Sequence, residues 1–142
     1  MKIGVRKVAD TINKLMIEGV MTHSVLIVAD DNASREVFRQ VLKMVGFKST
    51  EAANGEIALR LLENSAPDLV VLDLRLPRVT GAEVLQYIYN APHLANTRVI
   101  VASAHEAMMV KLNLRDRDRY LVKPIFASLL RETALELTGS ID

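Results

Sequence analysis

The chain has 142 residues, half of them hydrophobic and a quarter charged, with a formal net charge of +1. Those values describe one ordinary globular domain with no basic excess to advertise nucleic acid, and with no cysteine there is no disulfide or thiolate metal site. The apolar runs fall far short of the ~20 residues that span a bilayer, and Asp10, Asn13, Lys14 and Glu18 interrupt any signal-peptide core; a cytoplasmic protein with no membrane and no direct nucleic-acid contact is expected.

Residues 1–23 come first and stand apart from the rest of the chain. Val5, Val8, Ala9, Ile12, Leu15 and Met16 recur at helical spacing, with Arg6, Lys7, Asp10, Asn13, Lys14 and Glu18 opposite them. This is an amphipathic helical extension whose apolar stripe needs a surface to cover. From residue 24 to 142 apolar runs alternate with helical patterns. Val25–Ala29 reads as a strand buried on both faces. Ser34 to Val45 carries Val37, Phe38, Val41, Leu42 and Val45 at helical spacing and stops at Gly46. Phe47–Ala52 alternates and contains Ser and Thr, a weaker strand suited to an edge. Asn54-Gly55 marks a turn before Ile57, Ala58, Leu61 and Leu62 on one helical face. Pro67 precedes the strand Asp68–Asp73. Thr80-Gly81 opens a helix with Val84, Leu85 and Ile88. Arg98–Ala102 is a fourth strand, Glu106–Leu114 a short helix, Tyr120–Val122 a fifth strand and Ala127–Thr138 a last helix. The charged stretch Arg115–Arg119 reads as a solvated loop.

Five strands alternating with helices imply an α/β doubly wound parallel sheet with helices on both faces. Chemistry in such sheets gathers at the carboxyl ends of the strands. There the first strand delivers Asp30-Asp31, the third Asp73, the fourth Ser103 and the fifth Lys123-Pro124. Singly, each of these is an ordinary cap, turn former or solvated side chain. Together they put three carboxylates on one edge. At ~5 Å and an effective dielectric of about 20, each pair costs roughly 3 kcal/mol. A divalent cation and a lysine offset that cost. Oxygen donors without His or Cys suit Mg²⁺, with Asp31 and Asp73 as ligands and Asp30 acting directly or through water. The arrangement also suits phosphoryl transfer to a carboxylate, with Asp73 as nucleophile and Lys123 and Ser103 on the phosphoryl oxygens.

With these residues in place, the sequence resembles the response-regulator receiver domain of two-component systems. The motifs are VLIVADDN at Val25–Asn32, AANGEIAL at Ala52–Leu59, VVLDLRLPRVTGAEVL at Val70–Leu85, VIVASAH at Val99–His105 and YLVKP at Tyr120–Pro124. The resemblance spans about residues 24–139. It implies a CheY-like, flavodoxin-like sheet of order 2-1-3-4-5. It implies Asp73 as phosphoacceptor and Mg²⁺ held by Asp30, Asp31, Asp73 and the main-chain carbonyl of Arg75. It further implies Ser103 and Tyr120 as the switch pair, Lys123 on the phosphoryl group and a cis Lys123-Pro124 bond. The implied donor is a histidine kinase or histidine phosphotransfer protein, and the chain would catalyse only its own phosphorylation and slow autodephosphorylation. Arg75 is bulky and charged at a position that tunes dephosphorylation in the family. His105, two residues past Ser103, edges the site.

No DNA-binding helix-turn-helix follows the last helix, so output is expected from the receiver surface to an unknown downstream protein. A homodimer is expected through the N-terminal helix or through the face of the fourth helix, fifth strand and fifth helix. The N-terminal helix packing on its own domain, and a translation start at Met21, stay open beside that. Three other functions compete. A haloacid-dehalogenase-type phosphatase needs an acid where Arg75 stands. A flavodoxin-like flavin site would have its phosphate repelled by Asp30-Asp31. A pseudo-receiver that is never phosphorylated has no need of Asp30, Asp31, Asp73, Ser103 and Lys123 together.

Overall fold

A computed structural model describes residue 10 and residues 23–139 of the chain. The helical extension expected over residues 1–23, with the dimer contact assigned to it, lies outside the described residues apart from Asp10 and His23. In chain order the elements are β1 (His23–Val28), α1 (Asn32–Lys43), β2 (Phe47–Ala52), α2 (Gly55–Glu63), β3 (Leu69–Asp73), α3 (Gly81–Asn90), β4 (Arg98–Ser103), α4 (Glu106–Met109), β5 (Arg119–Val122) and α5 (Ala127–Thr138). The strands are all parallel and lie in the order β2-β1-β3-β4-β5. The weakly patterned β2 sits at an edge, as its exposed Lys48, Thr50 and Glu51 suit.

Strand alternation divides the core in two. Leu26, Val28, Val70, Leu72, Val99 and Val101 point to one face, where α2 and α3 cover them with Ala58, Leu62, Val84, Leu85 and Ile88. Val25, Ile27, Leu69, Val71, Ile100 and Leu121 point to the other, under Phe38, Val41 and Leu42 of α1 and Leu130, Ala134 and Leu137 of α5. Successive residues face opposite ways on a strand, so a strand covered by helices on both sides is apolar throughout. β3 is buried along its whole length for this reason. Each such Val, Leu or Ile contributes roughly 1.5–3 kcal/mol. Among the described residues no helix is long and apolar enough to cross a membrane.

Helix ends follow local chemistry. α1 starts two residues before the expected Ser34, because the Asp31 side chain caps the amides of Ala33 and Ser34. It turns into β2 through Gly46 at φ 92°, a backbone conformation that suits only glycine well. Thr80 and Glu83 form a capping box at the start of α3.

The expected helix over Glu106–Leu114 is shorter in the structure. It is α-helical to Met109 and 3₁₀ over Val110–Leu112, and Asn113 at φ 56° ends it. The following charged stretch is no solvated loop, and the reason lies in Asp118. Its side chain is fully buried. It accepts from the Val99 N–H at 2.8 Å, the Tyr89 O–H at 2.7 Å and Arg115 Nε at 3.2 Å. The Arg115 guanidinium also stacks 4.0 Å over the Tyr89 ring, and its amide donates to the Tyr89 hydroxyl at 3.1 Å. Burial, and secondarily the bond to Asp118, raise the pKa of Tyr89. These bonds tie the segment to α3 and β4 instead of letting it continue as helix. With α4 so short, Tyr120 and Val122 of β5 remain 44% and 41% exposed.

Asp118→Ala would leave a buried amide and a guanidinium without their acceptor. Urea unfolding is expected to show a loss of roughly 3 kcal/mol. Asp116→Ala, two residues away and exposed, should stay within about 0.5 kcal/mol.

Candidate functional site at the carboxyl edge of the sheet

β3 ends on Asp73, whose carboxylate is 6% exposed. Its Oδ2 accepts from Lys123 Nζ at 2.9 Å, and its Oδ1 from the Arg75 N–H at 3.1 Å. A buried carboxylate needs such partners, because water no longer supplies them. Lys123 reaches it because the Lys123 N–H bonds the Ser103 carbonyl at 2.9 Å, prolonging the β4–β5 ladder past the last residue of β5. The Lys123–Pro124 peptide is cis. On the other side the chain folds back tightly. The Gly81 N–H bonds the Leu74 carbonyl at 3.1 Å. A Cβ on Gly81 would lie 2.4 Å from the Asp73 carbonyl oxygen, so only glycine fits against the end of β3.

Asp73 opens into a shallow cleft shared with Asp30, Arg75 and Lys123, with Leu76 and Pro77 along one wall. Ser103, at the end of β4, is 2% exposed, and its Oγ accepts the His105 N–H at 3.0 Å. The Arg75 guanidinium meets His105 Nε2 at 3.4 Å. His105 therefore does edge the cleft, and Arg75 does not run free into solvent. Tyr120 lies on the exposed part of β5.

One expected residue is not brought in. Asp31 accepts from the Ala33 N–H at 3.3 Å, the Ser34 N–H at 3.1 Å and the Ser34 hydroxyl at 2.7 Å. It lines a separate groove with Val37, Phe38 and Pro124. Its pKa is lowered by the Ser34 side-chain bond first, then by the two amides. The physical reason is local: a carboxylate at an N-cap finds orphan amides two and three residues ahead. The expected trio of Asp30, Asp31 and Asp73 is therefore a pair, and among the described residues no group of three acidic, His or Cys side chains is placed to share an ion. The remaining donors still fit Mg²⁺. They are hard oxygens, and this ion is satisfied by one or two carboxylates with water completing its shell.

Sequence reasoning passed over Arg35. It is 9% exposed and donates from Nη1 to the Ala29 carbonyl at 2.6 Å. It also bonds Asn32 and pairs with Glu51 at 3.3 Å. It thereby clamps the β1–α1 turn that carries Asp30. The signal was available: Arg35 stands three and seven residues before Phe38 and Leu42, on the buried stripe of α1.

The family model described as "Response regulator receiver domain" matches residues 25–135. The polar-differentiation response regulator DivK of Brucella ovis is 30% identical over 121 residues, covering 84% of this chain and 98% of that protein. The response regulator receiver domain (CheY-like) from Methylobacillus flagellatus superposes with a TM-score of 0.73 at 27% identity, over 82% of this chain and 98% of that one. The receiver domain of a sensor histidine kinase from Pseudomonas aeruginosa superposes with a TM-score of 0.74 over 84% of this chain and 99% of that one. At 22% identity it speaks for the fold alone; in that crystal structure a magnesium ion is coordinated in the active-site cleft.

Asp31→Ala should fray the first turn of α1, seen as backbone NMR shifts of Ala33 and Ser34 moving toward coil values, while Asp31→Asn should keep the turn. Because folding lowers the Asp31 pKa, its contribution is fully present above the ordinary value of 3.8 and is lost as pH falls through the lowered one. The same NMR shifts should thus hold steady from neutral pH down and move only below it.

Proposed function

Since the chain belongs to the response-regulator receiver family, we propose that it accepts a phosphoryl group on Asp73 from a histidine kinase or histidine phosphotransfer protein and signals through the resulting change of conformation. The observation that carries this reading is the buried Asp73 carboxylate paired to Lys123 at 2.9 Å at the carboxyl edge of the sheet. A structural ion pair would not need to open into a cleft beside a second acid, Asp30.

In the proposed reaction a carboxylate oxygen of Asp73 attacks the phosphorus of the donor phosphohistidine. The P–N bond breaks, and its electron pair leaves with the imidazole nitrogen, which takes up a proton. The product is an acyl phosphate on Asp73. Lys123, already at Oδ2, neutralises one phosphoryl oxygen. Ser103 Oγ, which accepts the His105 N–H before phosphorylation, has an O–H to donate to another. Asp30, Asp73 and the main-chain carbonyl of Arg75 would hold Mg²⁺, which when bound would supply charge neutralisation for the transferring group. Apart from this self-phosphorylation and slow hydrolysis of the acyl phosphate, no catalytic turnover is proposed.

Phosphorylation then shifts the population between two packings. Ser103 leaves the His105 amide for the phosphoryl group, and Tyr120 swings inward. The downstream partner reads the face around α4, β5 and α5, where Met108, Tyr120, Val122 and Leu129 are exposed. A cytoplasmic location belongs to the same reading.

Incubation with acetyl phosphate and Mg²⁺ should add one phosphoryl group to the intact mass. Asp73→Asn should abolish the gain, and Lys123→Ala should slow it about 10²–10³-fold, the usual cost of removing one donor from a developing oxyanion. No gain in the unmodified chain would sink the reading. Arg75 lines the cleft, and its guanidinium meets His105, so Arg75→Ala should shorten the phosphoryl half-life, by about tenfold if the side chain contributes ~1.4 kcal/mol of barrier.

A further inference from the structure

The register of the sheet sets an apolar residue beside the Asp73 position. Val28 of β1 pairs with Leu72 of β3. One residue further along the same register, Ala29 comes level with Asp73. The two also share a face, since Val25 and Ile27 lie in one cluster with Leu69 and Val71. Neighbouring strands are ~4.8 Å apart, so side chains at these two positions stand side by side at the carboxyl edge. Ala29 is fully buried there. Its N–H bonds the Ala52 carbonyl at 3.2 Å, and its own carbonyl takes Arg35 Nη1 at 2.6 Å. The backbone at this point is thus held from both sides, and only a methyl group faces Asp73. The second acid of the Asp30-Asp31 pair does not make up the deficit, because Asp31 spends both oxygens on the α1 cap.

We infer that the cleft is a reduced cation site, in which Ala29 occupies the place of a third carboxylate and Asp31 is a helix cap with no part in holding the ion. The inference rests on the reading of the cleft as an Mg²⁺-dependent phosphoacceptor site. The charged side chains that line the cleft, Asp30 and Asp73 against Arg75 and Lys123, sum to zero, so the cleft offers no net negative charge to an incoming cation. An acid at position 29 would supply one at contact distance. Metal loading, and with it readiness to accept a phosphoryl group, is therefore set low by one residue and rises with Mg²⁺ concentration over a higher range than a three-carboxylate site would show.

Calorimetric titration of the full chain with Mg²⁺ tests this without any phosphodonor. Ala29→Asp should tighten binding by about tenfold or more, because the added carboxylate would stand at contact distance from the ion. Asp31→Asn keeps a capping side chain and removes only the charge, so it should bind as the unmodified chain does. Asp30→Asn should lose binding. An Ala29→Asp protein that folds, by circular dichroism, but binds no more tightly overturns the inference. So does a tenfold loss in Asp31→Asn, which stands as the deciding measurement if the new buried acid prevents folding. The outcomes separate from those of the phosphorylation assay: a chain that titrates as stated yet gains no mass with acetyl phosphate overturns the phosphoacceptor reading alone.

Discussion

Asp73 is an ionised group at the end of a strand whose other residues are all apolar and buried, and its 2.9 Å pairing with Lys123 is the interaction on which the rest of the site depends. A carboxylate 6% exposed has lost most of its hydration, and the charge persists only where a cation and amide donors replace the water. Much of the surrounding chain meets that demand. β5 continues its ladder through the Lys123 amide so that the ammonium arrives from the far side of β4. Gly81 lets α3 press against the end of β3, and the Arg75 amide is delivered by the turn between them. The same demand leaves the ionised Asp73, paired to Lys123, beside a second acid, Asp30, in an open cleft.

A second constraint acts at the opposite side of the sheet. Asp118 satisfies the Val99 amide, the Tyr89 hydroxyl and the Arg115 guanidinium at once. Such a network is stable only when every member is paired, and here it fixes the chain between α4 and β5 close to the sheet. The consequence reaches the outer face of β5. Because α4 is one turn long, the outer face of β5 is open, and Tyr120 stands at its centre. Shortening a helix to keep a buried acid satisfied thus shapes the exposed face of β5.

The parallel sheet, the strand ends and the four side chains Asp30, Asp73, Ser103 and Lys123 were legible in the sequence, and the strand order was implied by the family resemblance. Apolar runs of strand length alternating with helical stripes imply a parallel sheet covered on both faces, and such a sheet sends those residues to one edge. Capping at Thr80 was legible as well, because caps are written in neighbouring residues. What only the tertiary structure decided were choices between competing partners. Asp31 had both a cation and two nearby amides to serve, and sequence cannot weigh a distant site against a local cap; the amides won because they lie within three residues. Arg115 to Arg119 looked like a solvated run, since charge implies water until a burial site with matched donors exists, and Tyr89 and Val99 supply it from far along the chain. Ala29 carries no polar atom to catch the eye, and its meaning comes only from standing level with Asp73. Periodicity determines what each segment can become by itself; register and long-range pairing determine which charges finally share a site.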